Sequence, residues 1–222
     1  MLGKTPTTRE EWLEARKKGI GASEAACVIG MNPWKTNQQL FDEKIGAVKP
    51  EDISDKPCVD YGKKAEEHIR ELFKLDYPQY SVGYSEFEMI ANRKNQPWLF
   101  ATLDGFIVEK DEKGNSRLGI LEIKTTEILN PSQWDKWDNK VPDYYYCQIL
   151  HQFLATGYDF AILRADIRYH KDGELRHTMR DYFFSPEISD TKSDMDYLLK
   201  EEIKFWNCVQ QGKRPAQILP NI

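Results

Sequence analysis

Apolar positions along the 222-residue chain recur with two different periods, and the change of period divides it into helical and strand-rich stretches. Thr8 followed by Glu11 makes a capping box ahead of Trp12, Leu13 and Ala15, which predicts a first helix ending near Gly19. Ser23, after "GIGA", can cap a second short helix through "EAACVIG", closed by Gly30. Past the turn "NPWKT", Thr36 can cap a third through "QQLFDEKIG". From Pro57 to Leu75, the positions Val59, Tyr61, Ala65, Ile69, Leu72 and Phe73 keep a helical period, with proline suited to the first turn.

The period then falls to two. "YSVGYSEFEMIAN" and "WLFATLDGFIVEK" alternate, and "RLGILEIKTTE" is mostly apolar, with "DEKGNS" as the hairpin turn between the last two. A helix is predicted from Pro142 to Gly157, then a strand pair "FAILRADIRYH" and "LRHTMRDYFF" joined at "KDGE". A closing helix follows Ser185-Pro186 and carries Met195, Leu198, Leu199, Ile203, Phe205 and Trp206. This order predicts one α/β domain with a helical N-terminal addition. Its parts are a helical segment over 1–56, a core over 57–170, and a hairpin strand with a helix over 171–222.

Within "ILEIKTTE", two charged residues interrupt a strand that otherwise reads as core. Acid-x-Lys triplets occur six times, beginning at Asp42, Asp111, Glu122, Asp138, Asp190 and Glu202, but only Glu122-x-Lys124 lies in an apolar strand. Side chains two apart share a strand face. Alone, the pair is equally an exposed surface ion pair of small energetic value. Asp104, in "ATLDGF", is another lone acid in an apolar strand, and the hairpin can bring it beside Glu122. Glu66 lies on the helix leading into the sheet. Three carboxylates and a lysine at one sheet edge suit a hard divalent cation and phosphodiester chemistry.

Composition adds limits. The 40% hydrophobic and 30% charged content is that of a soluble globular protein, and no apolar run approaches a membrane span or a signal peptide. A cytosolic, cytoplasmic location is the expectation. Cys27, Cys58, Cys147 and Cys208 are scattered without ligand-pair spacing, which argues against a zinc or iron–sulfur centre and for free buried thiols. The net charge of −5 argues weakly against nucleic acid, because an acid-rich metal site and local basic clusters such as Arg16-Lys17-Lys18 are compatible with it.

The helix acid in "YGKKAEEHI", then "LDG", "LEIK" and "YYCQILHQ", resembles the PD-(D/E)xK nuclease superfamily, and more narrowly the phage exonuclease family of lambda exonuclease and YqaJ-type viral recombinases. "RKKGIGASEAACVIGMNPW" resembles that family's opening motif, and the likeness runs from Arg16 to Arg168. It implies a restriction-endonuclease-like PD-(D/E)xK core, with a central mixed β-sheet flanked by helices. Asp104 and Glu122 would be metal ligands, with the backbone carbonyl of Ile123, and Lys124 would position the nucleophilic water. Glu66, in "GKKAE", would reach a second metal. Gln148 would buttress the lysine and the water, and Tyr145 is the helix tyrosine of the same motif. Leu103 stands where the superfamily has its naming proline.

The resemblance further implies an Mg²⁺-dependent 5′→3′ exonuclease on double-stranded DNA ends, with Mn²⁺ tolerated. It would serve a phage or prophage recombination system and leave 3′-overhangs for a single-strand annealing protein. The implied assembly is a homotrimer ring, with no membrane. Arg16 and Ser23 fit the family's 5′-phosphate pair. On physical grounds, Ser23 is either a plain N-cap or, with helix N–H groups and the Arg16 fork, an anion site. Trp34 and Tyr145 are candidate DNA contacts, with packing of the turn as the other reading of Trp34. His151 is either a neighbour of the metals or a helix-packing histidine. Another PD-(D/E)xK nuclease, such as an endonuclease or resolvase, and a non-catalytic DNA-binding subunit are the alternatives.

Overall fold

The computed structural model describes residues 5–110 and 112–218, so the Asp111 triplet falls outside the described residues. Five strands form one mixed sheet in the order β2–β4–β5–β6–β7: β2 Tyr80–Gly83, β4 Gly105–Lys110, β5 Ser116–Ile128, β6 Phe160–Lys171 and β7 Glu174–Phe184. Only β5 and β6 run parallel; the remaining pairs are antiparallel. A parallel pair needs a crossover, and α5 (Asp143–Thr156) supplies it. With α6 (Ser189–Gln211) this helix covers one sheet face, while α4 (Pro57–Asp76) covers the other.

This double covering explains the near-continuous apolar run of β5. Ile120 turns toward α5 with Leu163, Ala165 and Ile167, whereas Leu121 and Ile123 turn toward Ile69 and Phe73 of α4. Glu122 and Lys124 share the face of Ile120, under α5. β5 also outruns β4, whose pairing stops at Gly105 opposite Leu121, while β6 accompanies β5 to Ile128.

The long elements follow the sequence periods closely. Pro57 opens α4 and Gly157, at φ 69°, closes α5. Asp172 and Gly173 both have positive φ, the backbone of a tight turn that matches strand twist between β6 and β7. Departures cluster where the chain is short of apolar partners. The helix α1 (Arg9–Arg16) buries no residue, and Leu13 of its expected stripe is exposed. Its capping box is half made: Thr8 accepts from Glu11 N–H at 3.2 Å, but the Glu11 carboxylate turns to Thr7. Thr36, by contrast, completes a reciprocal box on α3 (Asn37–Lys44).

The alternating stretches before the hairpin are less strand-like than expected. β2 has only four residues, and "WLFATLDGFIVEK" breaks into β3 (Leu99–Phe100) and β4 around an irregular Thr102–Asp104. β3 pairs in parallel with β1 (Ile20–Gly21), tying the N-terminal segment to the sheet's entrance. The closing helix begins at Ser189, with Ser185-Pro186 left in a turn. All four cysteines are free. Burial pushes the Cys27 and Cys147 thiols up to about 12, but Cys58 is exposed, so the expectation of four buried thiols holds only in part. Among the described residues, no helix is long and apolar enough to cross a membrane.

Candidate active site

Because β4 stops opposite Leu121, the Ile123 N–H that would face its continuation lacks a strand partner. Asp104, at the bend before β4, fills that place: its Oδ2 accepts from Ile123 N–H at 2.8 Å. The carboxylate is thereby pinned beside β5. Glu122 is 1% exposed. Its Oε1 accepts from Gln148 Nε2 at 2.5 Å and from Lys124 Nζ, and its Oε2 accepts from Gln152 Nε2 at 2.5 Å. Both glutamines sit on α5 one turn apart, so the helix that makes the crossover also clamps the acid.

Two acids and one ammonium share this enclosure. Burial, then the Glu122 charge, hold Asp104 well above the usual carboxylate range, with Lys124 and the Ile123 N–H opposing. Burial pulls Lys124 down, but Glu122 and Asp104 outweigh it and keep its ammonium above the ordinary lysine value. Lys124 therefore keeps its ammonium charge and is a hydrogen-bond donor at this site, able to orient a water through its N–H groups. Its Nζ lies 5.1 Å from the Tyr145 ring centroid. A carboxyl pushed up by burial and by a neighbouring acid is one that a bound cation would bring back down, and oxygen donors are the set a hard divalent ion prefers. The pair Asp104 and Glu122 fits such an ion on this ground. Among the described residues, no three acidic, histidine or cysteine side chains converge closely enough to enclose one.

Glu66 reaches the cluster indirectly. Its Oε1 accepts from Arg70 Nη1 at 3.0 Å, and the same nitrogen donates to the Asp104 carbonyl. Arg70 is buried beneath the Tyr84 ring, 3.7 Å from its centroid. Neither Arg70 nor Gln152 emerged from the sequence reading. Each lies four residues beyond an anticipated residue on the same helix, Glu66 and Gln148, and that spacing was the available signal.

At the N-terminal side, Arg16 and Ser23 do meet: Arg16 Nη2 donates to Ser23 Oγ at 3.2 Å. The expected cap does not form. Ser23 lies inside a 3₁₀ turn (Ala22–Glu24) whose cap position is Gly21, and α2 (Ala25–Val28) is a single turn. A helix this short brings little dipole, so an anion here would rest on Arg16 and Ser23 themselves. Arg16 also pairs with Glu24 at 3.2 Å, and Lys44 holds the other Glu24 oxygen at 2.7 Å. Burial opposes the Glu24 charge, but Lys44, Arg16 and the Gly21 N–H bring its pKa down to about 2. Trp12 links the regions, its ring 4.8 Å from the Arg16 guanidinium and its Nε1 donating to Thr102 Oγ1 at 3.0 Å, two residues before Asp104.

Trp34 is 71% exposed and packs edge-on against Tyr144, whose ring meets that of Tyr145 at 4.5 Å. An aromatic run thus leads from the surface to Lys124. Tyr146 points elsewhere, donating to Asp194 of α6 at 2.9 Å. His151 belongs to the core: its ring nitrogens face Glu202 Oε1 at 2.6 Å and the Phe100 carbonyl at 2.9 Å. It is the packing histidine, away from the acids.

The fold, a mixed five-stranded sheet flanked by helices, is similar to that of solved exonucleases. An alkaline exonuclease (LHK-Exo) from Laribacter hongkongensis matches with a TM-score of 0.56 at 17% identity, over 91% of this chain and 97% of that one. A phage-related exonuclease from Haemophilus somnus 129PT matches with a TM-score of 0.52 at 11% identity, over 87% and 96%. In sequence, the uncharacterized protein YqaJ of Bacillus subtilis (strain 168) is 30% identical over 215 residues, which is 94% of this chain and 59% of that relative's length. The model of the YqaJ-like viral recombinase domain matches residues 11–159, spanning Arg16, Ser23, every anticipated acid and both α5 glutamines, and the chain belongs to that family.

Proposed function

We propose that this chain is a metal-dependent deoxyribonuclease, a 5′→3′ exonuclease acting on double-stranded DNA ends. The observation that carries the reading is the enclosed trio Asp104, Glu122 and Lys124, in which two acids crowd one ammonium and Glu122 is donor-bonded on both oxygens. The family and the alkaline-exonuclease fold support the nuclease class. A divalent cation held by Asp104, Glu122 and the Ile123 carbonyl, Mg²⁺ or in its place Mn²⁺, would supply positive charge against the phosphodiester. Lys124 presents N–H donors to the attacking water, and Gln148 keeps the Glu122 carboxylate from rotating away. Hydrolysis breaks the bond to the 3′ oxygen and releases 5′-mononucleotides.

Arg16 and Ser23 would hold the terminal 5′-phosphate, and a phosphate dianion would compete there with Glu24 for the guanidinium. Trp34, with Tyr144 and Tyr145 behind it, offers a stacking surface to an unpaired base. The proposal extends to a homotrimer ring enclosing duplex DNA, and to a single-strand annealing protein as partner in phage or prophage recombination. A ring would let a net acidic chain line its channel with basic residues.

The test uses linear duplex DNA with Mg²⁺, carrying either 5′-phosphate or 5′-hydroxyl ends. Faster degradation of phosphorylated ends, with mononucleotide products, is expected. Equal rates on both ends would remove the phosphate pocket, and cleavage of closed circular DNA would make the protein an endonuclease instead.

A further inference from the structure

Arg70 is the one charged side chain in this region that no role above absorbs. Its side chain is 7% exposed while that of Glu66 is 28% exposed, so the cation is the deeper partner. A guanidinium taken out of water needs a counter-charge and acceptors, and Arg70 has both: Glu66 Oε1 at 3.0 Å and the main-chain carbonyl of Asp104. The Tyr84 ring, 3.7 Å away, covers its face and limits its movement. One side chain of α4 therefore ties the helix carboxylate to the backbone of the residue that opens the catalytic pair.

We propose that Arg70 is a positioning residue that holds Glu66 in reserve, acting as a resident cation with which a divalent ion must compete for the Glu66 carboxylate. The proposal rests on the metal-dependent reading above and sharpens it. Glu66 Oε1 is paired with the Arg70 guanidinium, so an ion drawing on that carboxylate competes with a resident cation. The same contact keeps the Asp104 main chain in register with α4, so Arg70 opposes metal capture by Glu66 while supporting turnover. These opposite signs separate its role from plain structural support.

Mn²⁺ affinity is measured by calorimetry without DNA, and turnover on linear duplex DNA, for the wild type, Arg70→Gln, Arg70→Lys, Glu66→Gln and the Arg70→Gln/Glu66→Gln double variant. Thermal melts verify folding. Arg70→Gln is expected to tighten Mn²⁺ binding about tenfold, and to slow turnover about a hundredfold through misplacement of Asp104. Arg70→Lys restores the charge and returns affinity most of the way to wild type. In the Glu66→Gln background the tightening disappears. Unchanged affinity in folded Arg70→Gln overturns the proposal, as does affinity falling together with turnover. Tightening that persists without the Glu66 carboxylate also overturns it, because that is simple repulsion. A wild type that binds no Mn²⁺ removes the metal-dependent reading itself, and this proposal with it.

Discussion

Two charged clusters lie at either end of the Trp12–Thr102 hydrogen bond, and they solve the problem of burial in opposite ways. Around Glu24 the cations are in excess: Arg16 and Lys44 surround one carboxylate, whose pKa falls to about 2. Around Glu122 the acids are in excess. Two enclosed acids face one ammonium, and Asp104 is driven up by burial and by its neighbour. The comparison teaches that the sign of the excess charge tells the two clusters apart: the Glu24 cluster suits an anion, and the Glu122 cluster suits a cation.

The largest expected effect tests the acid-rich side. Lys124→Ala should reduce turnover about a thousandfold, on the scale of removing one fixed donor at a reacting group. Steady-state kinetics on linear duplex DNA, with circular dichroism to verify the fold, measures it. Unchanged turnover would return Lys124 to the status of a surface pair.

Next is the cation-rich side. Glu24→Gln leaves Lys44 and Arg16 without their shared counter-charge, and is expected to cost about 3 kcal/mol of folding stability by urea titration. A loss near zero would mean that water already neutralises this cluster, and the contrast between the two regions would fade.

Arg16→Ala should reduce discrimination between 5′-phosphate and 5′-hydroxyl ends by about 2 kcal/mol, the value of a charged hydrogen bond. Calorimetric Mn²⁺ affinity should not move. A matching loss of metal affinity would merge the two clusters into one functional unit.

The smallest effect is the most diagnostic. With divalent ions chelated, Asp104→Asn should stabilise the fold by about 1 kcal/mol, since it removes one of two crowded charges while an amide oxygen can still accept from Ile123 N–H. Urea titration in chelator gives the sign directly. Destabilisation would show that the acid pair is already balanced without an ion.

How much of this was legible beforehand follows from the range of the interactions. α4, α5 and the β6–β7 hairpin declare themselves because their periods run for many residues and their caps are local. The break at Thr102–Asp104 does not, since it depends on where β4 loses its partner across the sheet. Asp104, Glu122 and Lys124 were recognisable as charged residues in apolar surroundings and Gln148 through the family resemblance, and the fold assembles them. Glu202 was not: it sits amid an amphipathic helix in an acid-x-Lys triplet, yet it is fully buried against His151, 51 positions away. No local pattern signals a partner at such separation. Ser23 was misjudged for a related reason, because a serine before a short apolar run reads as a cap whether the run becomes a long helix or a single turn.

The helix α1, which buries none of its residues, has a consequence for how the molecule comes apart. Its amides should exchange with solvent through local opening at low free energy, while those of the buried middle of β5 and of α5 should exchange only when the whole domain unfolds. Arg16 ends α1, and Glu122 lies in that buried middle. Hydrogen exchange would thus find Arg16, proposed to hold a DNA end, in the part that yields first, and Glu122, proposed to hold the ion, in the part that yields last.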